Sequence, residues 1–197
     1  EDLPAEGSLA PDSYEVRPGD DRAEVIARMT AAQRVLLAQA FEARDPDLPI
    51  ETPEELLILA SIIEKETGVA AEREQVASVF VNRLNQGMRL QTDPTVIYAI
   101  KKETGNYDTI IKRVLFRDLE MDSPYNTYKY AGVPPGPITM PDITSIDAVL
   151  NPEKHDYLYF VADVSNFGYH LFAKTLAQHN RNKVQYIRWL NQQKVMR

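Results

Sequence analysis

The chain has 197 residues, a hydrophobic content of 44%, a formal net charge of −7 and no cysteine. That is enough apolar material to bury one core, or one domain plus a small appendage. The lack of cysteine excludes disulfides, thiolate catalysis and Cys-ligated metal, and the net acidity argues against a nucleic-acid partner, which needs a basic face. No apolar run approaches the ~20 residues of a bilayer span, and a start at Glu1 without a signal-like segment reads as a trimmed or processed product. Charge is unevenly spread. Residues 1–74 carry 18 acidic and 7 basic side chains, whereas 164–197 carry six Lys or Arg and no Asp or Glu. The simplest reading is a solvated acidic front and a basic terminal helix rather than a dedicated anion-binding surface.

The first twenty residues are rich in Pro, Gly and Asp and read as an irregular arm with at most a short strand. From Asp21 to about Ala43, apolar residues recur at helical spacing through Val25, Ile26, Met29, Leu36 and Ala40. Thr52 and Glu55 form a capping box around Pro53, which predicts a helix over 53–67, apolar on every side and closed by Gly68 as a left-handed cap. A third helix is expected over Ala71–Gln86, with Glu72 and Glu74 in its first turn and Gly87 at its end. Asp93 is expected to cap a short helix that starts at Pro94 and runs to about Lys101, and residues 109–120 are a further short candidate.

The segment SPYNTYKYAGVPPGPITMP (123–141) holds five Pro and can be neither helix nor central strand, so it is a long loop. Ser145–Leu150 reads as a short helix. DYLYFVAD (156–163) alternates like a half-buried strand that pairs with GYHLFAK (168–174), and a final helix begins near Thr175. The fold class is therefore α+β: a mainly helical domain with a small antiparallel β element and long ordered loops. The organisation is an N-terminal arm and helix (1–50) leading into the main domain (51–197).

The stretch LASIIEKETG (59–68) ends an apolar helix in carboxylates. Glu64 lies seven positions after Leu57 and shares a face with Ala60 and Ser61, whose small side chains leave room for a substrate, while Glu66 points almost the opposite way. Two readings of Glu64 stand open. It caps the edge of the core and pairs with Lys or Arg, or it is a partly desolvated carboxylic acid suited to proton donation. Gln91, Thr92 and Asp93 offer amide, hydroxyl and carboxylate groups to a sugar or peptide, though Asp93 has the competing role of helix cap. Tyr125, Asn126 and Tyr128 on the Pro-rich loop resemble a carbohydrate-binding edge, with core-facing tyrosines and a turn-forming asparagine as the alternative. The three histidines lack metal-ligand spacing, and there is no phosphate loop, nucleophile elbow or dinucleotide fingerprint, so no metal or cofactor is expected.

The series LASIIEKETG, EREQVASVFVNRLNQGMRLQTDPTVIYAI, SPYNTY, GVPPGPI, YLYFVAD and the closing HN resembles, in order and spacing, the YceG-like (MltG-type) endolytic murein transglycosylases of bacteria. The early EGSLAPDSY is similar to that family's arm. Departures fall at Asp142, where glycine is usual, and at Met140, Ala10 and Gln178. The resemblance implies that Glu64 is the catalytic acid/base and that Gln91, Asn126 and the flanking tyrosines hold sugars or N-acetyl groups. It implies cleavage of the MurNAc–GlcNAc bond within peptidoglycan strands, with 1,6-anhydro-MurNAc ends, beside the cell-wall synthases and divisome proteins. It further implies an inner-membrane anchor and a small LysM-like module upstream, with this domain on the periplasmic side. The rivals are a lysozyme-like muramidase using Glu64 with Asp93, and a non-catalytic glycan-binding or divisome scaffold.

Overall fold

The computed structural model describes residues 4–193. At its centre is α2 (Pro53–Glu66), in which every residue from Leu56 to Ile63 is buried. Its start follows from chemistry local to the sequence: the Thr52 side chain accepts from the Glu55 N–H at 3.1 Å and Pro53 occupies the first turn. The reciprocal bond runs one residue earlier than a capping box requires, from the Glu51 N–H to Glu55 at 2.7 Å. The end differs from expectation. Thr67 turns extended at φ −136°, its hydroxyl accepts from the Val69 N–H at 3.1 Å, and Gly68 is not left-handed; a threonine side-chain turn, not a glycine cap, stops the helix.

Around α2 pack α1 (Arg22–Glu42), α3 (Arg73–Asn85), α4 (Asp93–Thr104) and α6 (Ile143–Leu150). The core joins Leu37 and Ile50 to the α2 residues and to Val76, Phe80, Ile146 and Val149, with Leu36, Ala40 and Phe41 packed against it. The segment before α1 is irregular. Its Gly7 adopts φ +75°, a Cβ there would stand 2.7 Å from Pro137 Cγ, and its carbonyl accepts from the buried Gln33 amide at 3.0 Å.

A 3-10 turn at Ala70–Glu72 precedes α3, so Glu72 is not an exposed first-turn anion. It is 3% exposed and accepts from the His170 N–H, 2.7 Å away, with the His170 Nδ1 also 2.7 Å from its carboxylate. Within 109–120 only α5 (Phe116–Leu119) is helical. Asp142 caps α6 by accepting from the N–H groups of Thr144 and Ser145. The expected hairpin forms from β1 (Tyr159–Ala162) and β2 (His170–Ala173), antiparallel with Tyr159 opposite Ala173. Last comes α7 (Leu176–Gln192), capped by Thr175 and packed on the hairpin. Lys194 and Arg197 of the basic C-terminal segment lie outside the described residues. The architecture is α+β, as the pattern predicts.

Candidate functional site

The two glutamates that end α2 enter different surroundings. Glu64 faces α3 and α6. Its Oε1 lies 3.1 Å from Arg73 Nη2, and its Oε2 accepts from the Asp142 N–H at 3.2 Å and from the Ser145 hydroxyl at 2.8 Å. Arg73, 6% exposed in its side chain, also bonds Asp142 at 2.5 Å and Thr144. Burial works against the charge on Asp142, yet its bonds from Arg73, Thr144 and the Ser145 N–H, with the Arg73 charge, hold it down to about 2. Asp142 thus completes a three-member ion-pair node with Arg73 and Glu64. This is the ion-pairing alternative for Glu64, and every polar partner it has is structural.

Glu66 faces the other way, and the polar residues predicted for the site gather around it rather than around Glu64. Thr92 donates its hydroxyl to Glu66 Oε1. Burial pushes the Glu66 carboxyl up to about 7; the Thr92 bond opposes the rise and the charge of Asp93 adds to it. Part of the Glu66 side chain nonetheless remains accessible. Asp93 is not the helix cap. That position falls on Thr92, which makes no side-chain cap bond because its hydroxyl is committed to Glu66. Asp93 instead accepts from the Tyr128 hydroxyl at 2.6 Å, and burial, opposed by that bond and by Lys183, raises its pKa.

The platform beneath these groups is a cluster of buried threonines. The Thr92 N–H donates to Thr127 Oγ1 at 3.1 Å, Thr95 Oγ1 lies 2.9 Å from Thr127 Oγ1 and donates to the Thr92 carbonyl at 2.8 Å. Gln91 is exposed and sits at φ +52°, the one non-glycine residue in that region among the described residues. Its amide oxygen accepts from Arg83 at 3.3 Å. Arg83 is buried and also donates to the carbonyls of Leu158 (2.6 Å), Arg89 (2.9 Å) and Leu90 (3.0 Å), which pins the 89–91 loop to the entry of β1. From β1 and α7 come Tyr159, stacked on His179 with ring centroids 5.4 Å apart, and the Lys183 and Tyr186 side chains, which interact electrostatically with Asp93.

Three predicted binding residues lie elsewhere. Ser61 is fully buried; it donates to the Ile58 carbonyl at 2.7 Å and accepts from the Ile138 N–H at 3.0 Å, so it fastens the Pro-rich loop to α2. Asn126 is also fully buried. Its amide donates to the Leu119 and Met121 carbonyls at 2.9 and 2.8 Å, and its oxygen accepts from the Tyr128 N–H at 3.0 Å, so it organises the loop from within. Tyr125 packs against Tyr98 at a centroid distance of 4.8 Å, on the core side of the loop. Ser61 and Asn126 thus have no surface to offer a ligand. The sequence pattern assigns no site role to Glu66, Arg83 or Thr95. For Glu66 a signal existed: it follows Leu59 by seven residues and Ile62 by four, both fully buried, so it ends an apolar stripe as surely as Glu64 does.

An α+β domain with these elements and this motif order belongs to the YceG-like family, which it matches over residues 1–185. It is 43% identical over 184 residues to the endolytic murein transglycosylase of Bacillus subtilis, a match that covers 93% of this chain and 48% of that protein. It is 36% identical over 183 residues to the endolytic murein transglycosylase of Streptococcus pneumoniae D39, covering 92% of this chain and 32% of that protein. The crystal structure of a YceG-like protein from Listeria monocytogenes matches with a TM-score of 0.74 and 41% identity, over 89% of this chain and 54% of that one. The chain therefore spans about half or less of the length of these relatives.

Proposed function

We propose that this domain is a peptidoglycan lytic transglycosylase that cleaves glycan strands internally, with Glu66 rather than Glu64 as its general acid and base. The relatives' names support the reaction class. The observation that carries the residue assignment is the Glu66 carboxyl, pushed up to about 7 and bordered by Thr92, Asp93 and Tyr128. A proton donor works best when its pKa lies near the working pH. Both Glu64 oxygens are engaged by the fold itself, through Arg73, the Asp142 N–H and Ser145.

In this mechanism protonated Glu66 donates to the oxygen joining MurNAc to GlcNAc while positive charge develops at C1. The resulting carboxylate takes the proton of the substrate's own C6 hydroxyl, whose oxygen attacks C1 and closes a 1,6-anhydro ring. The bond to the leaving sugar breaks as the C6–O–C1 bond forms, and Glu66 ends protonated as it began. A tethered nucleophile needs no second carboxylate to activate water, since proximity supplies much of the rate. Asp93, kept in place by Tyr128, lies where its charge steadies the cationic centre. Gln91 and the Tyr159–His179 stack border the path of the strand.

A muramidase using Glu66 with Asp93 would leave reducing ends instead. Mass spectrometry of digested sacculi separates the two, because the anhydro product is lighter by one water. With peptidoglycan as its substrate, the domain would work on the outer side of the bacterial inner membrane, beside cell-wall synthases and divisome proteins. No helix among the described residues is long and apolar enough to cross a membrane.

A further inference from the structure

Beside the Glu66–Asp93 site lies a surface pocket that the mechanism above does not use. A cavity of about 450 Å³ is lined by Arg89, Leu119, Glu120, Tyr128 and Lys129. Tyr128 is shared: its hydroxyl holds Asp93 in the cleft, and the same residue forms a wall of the cavity. Arg89 donates to the Tyr128 carbonyl at 3.2 Å, so the cation nearest the shared wall is fixed in position relative to it. Lys129 lies 3.1 Å from Asp122 on its outer side, with 36% of its side chain exposed.

The lining has two cations, one anion, an apolar side chain and an aromatic face. A glycan strand without peptides carries only the lactyl carboxylates of its MurNAc residues and offers Glu120 no cation, and a polyanion such as a phosphate chain would meet Glu120. A short peptide with free carboxylates and a free amine matches both signs. In peptidoglycan such a peptide is amide-linked to the lactyl carboxyl of each MurNAc, beside the bond that is cut. We propose that this cavity receives the stem peptide of a MurNAc residue bound next to the scissile bond, with Arg89 and Lys129 taking its carboxylates and Glu120 its amine. The enzyme then reads peptide-bearing strands and disfavours strands already stripped by amidases. This inference rests on the transglycosylase reading above.

The test compares kcat/KM on peptide-bearing glycan strands with that on the same strands freed of peptide by an amidase. The wild-type protein should prefer the peptide-bearing strands. The ratio should fall about threefold in Lys129→Ala, and in Glu120→Ala, as expected for single rim charges. It should fall about tenfold in the double variant Arg89→Met, Lys129→Ala, mainly through KM. Equal cutting of both substrates by the wild type, or variants that lower both rates together, would overturn the pocket assignment alone. If the wild type cuts neither strand, the transglycosylase reading itself fails and the pocket assignment falls with it.

Discussion

The hydroxyl of Tyr128 donates to a carboxylate oxygen of Asp93 at 2.6 Å, and through that bond the Pro-rich loop reaches the group whose charge bears on Glu66. The arrangement makes Asp93 a tuner of the proton donor as well as a neighbour of the substrate. A general acid must be protonated to act, so activity should fall as pH rises through the Glu66 pKa, about 7. In Asp93→Asn the neighbouring negative charge is gone, and the alkaline limb of the kcat profile should move to lower pH. It should stay well above the ordinary carboxylate range, because burial is the larger cause of the shift. A pH–rate series on a defined glycan checks both points.

Glu66 also carries a cost in stability. Its pKa is about 7 when folded and 4.5 by its ordinary value, so between these the native state holds a proton that the unfolded chain has lost. Stability from this group is complete below about pH 4.5, declines as pH rises through the window, and is lost above about pH 7. Glu66→Gln removes the penalty while keeping a group that accepts from Thr92. Thermal unfolding should show the variant more stable than wild type near pH 8, by on the order of 3 kcal/mol, and about equal near pH 4. Equal stability at both pH values would count against a desolvated Glu66.

The Arg73 node predicts the opposite behaviour. Arg73→Ala leaves Glu64 and Asp142 facing each other with no cation between them, in a place where Arg73 itself is 6% exposed in its side chain. The Glu64 and Asp142 side chains are 23% and 42% exposed, so solvent screens part of the loss and the cost is about 1–2 kcal/mol, between that of a surface pair and a buried one. Glu64→Gln should cost less, since Arg73 keeps Asp142 and the amide oxygen still accepts from the Ser145 hydroxyl. Urea unfolding of the two variants gives the comparison.

Asn126→Ala should damage the loop rather than the chemistry. The substitution strands the Leu119 and Met121 carbonyls and the Tyr128 N–H, and each buried group left unpaired costs about 1–3 kcal/mol. Hydrogen exchange should quicken across 119–130, and activity should fall with Tyr128 no longer held against Asp93.

Much of this fold is legible in the sequence because its signals are local. Thr52, Pro53 and Thr175 mark helix starts by chemistry within four residues of themselves, and the 156–174 hairpin shows the two-residue alternation of strands. The end of α2 is less legible, since a threonine side chain intervened before the expected glycine. The site was half legible for a different reason. Leu56–Ile63 are buried on all sides, so a helical wheel places Glu64 and Glu66 on opposite faces without saying which face meets a cleft. That choice depends on where α6 and the 89–93 loop settle, which are long-range facts. Ser61 and Asn126 were misplaced similarly: a buried polar side chain bonded to backbone looks, in one dimension, like one offered to a ligand.

The central claim is tested most directly by digesting purified sacculi with wild type, Glu66→Gln and Glu64→Gln, and counting anhydro-MurNAc ends by mass spectrometry. The fold of each variant is verified first by thermal unfolding. Glu66→Gln should lower anhydro ends by about 100-fold or more, as expected for loss of a general acid, while Glu64→Gln keeps most of the activity of its folded fraction. Abundant anhydro ends from Glu66→Gln, with none from folded Glu64→Gln, would return the proton-donor role to Glu64 and contradict the account.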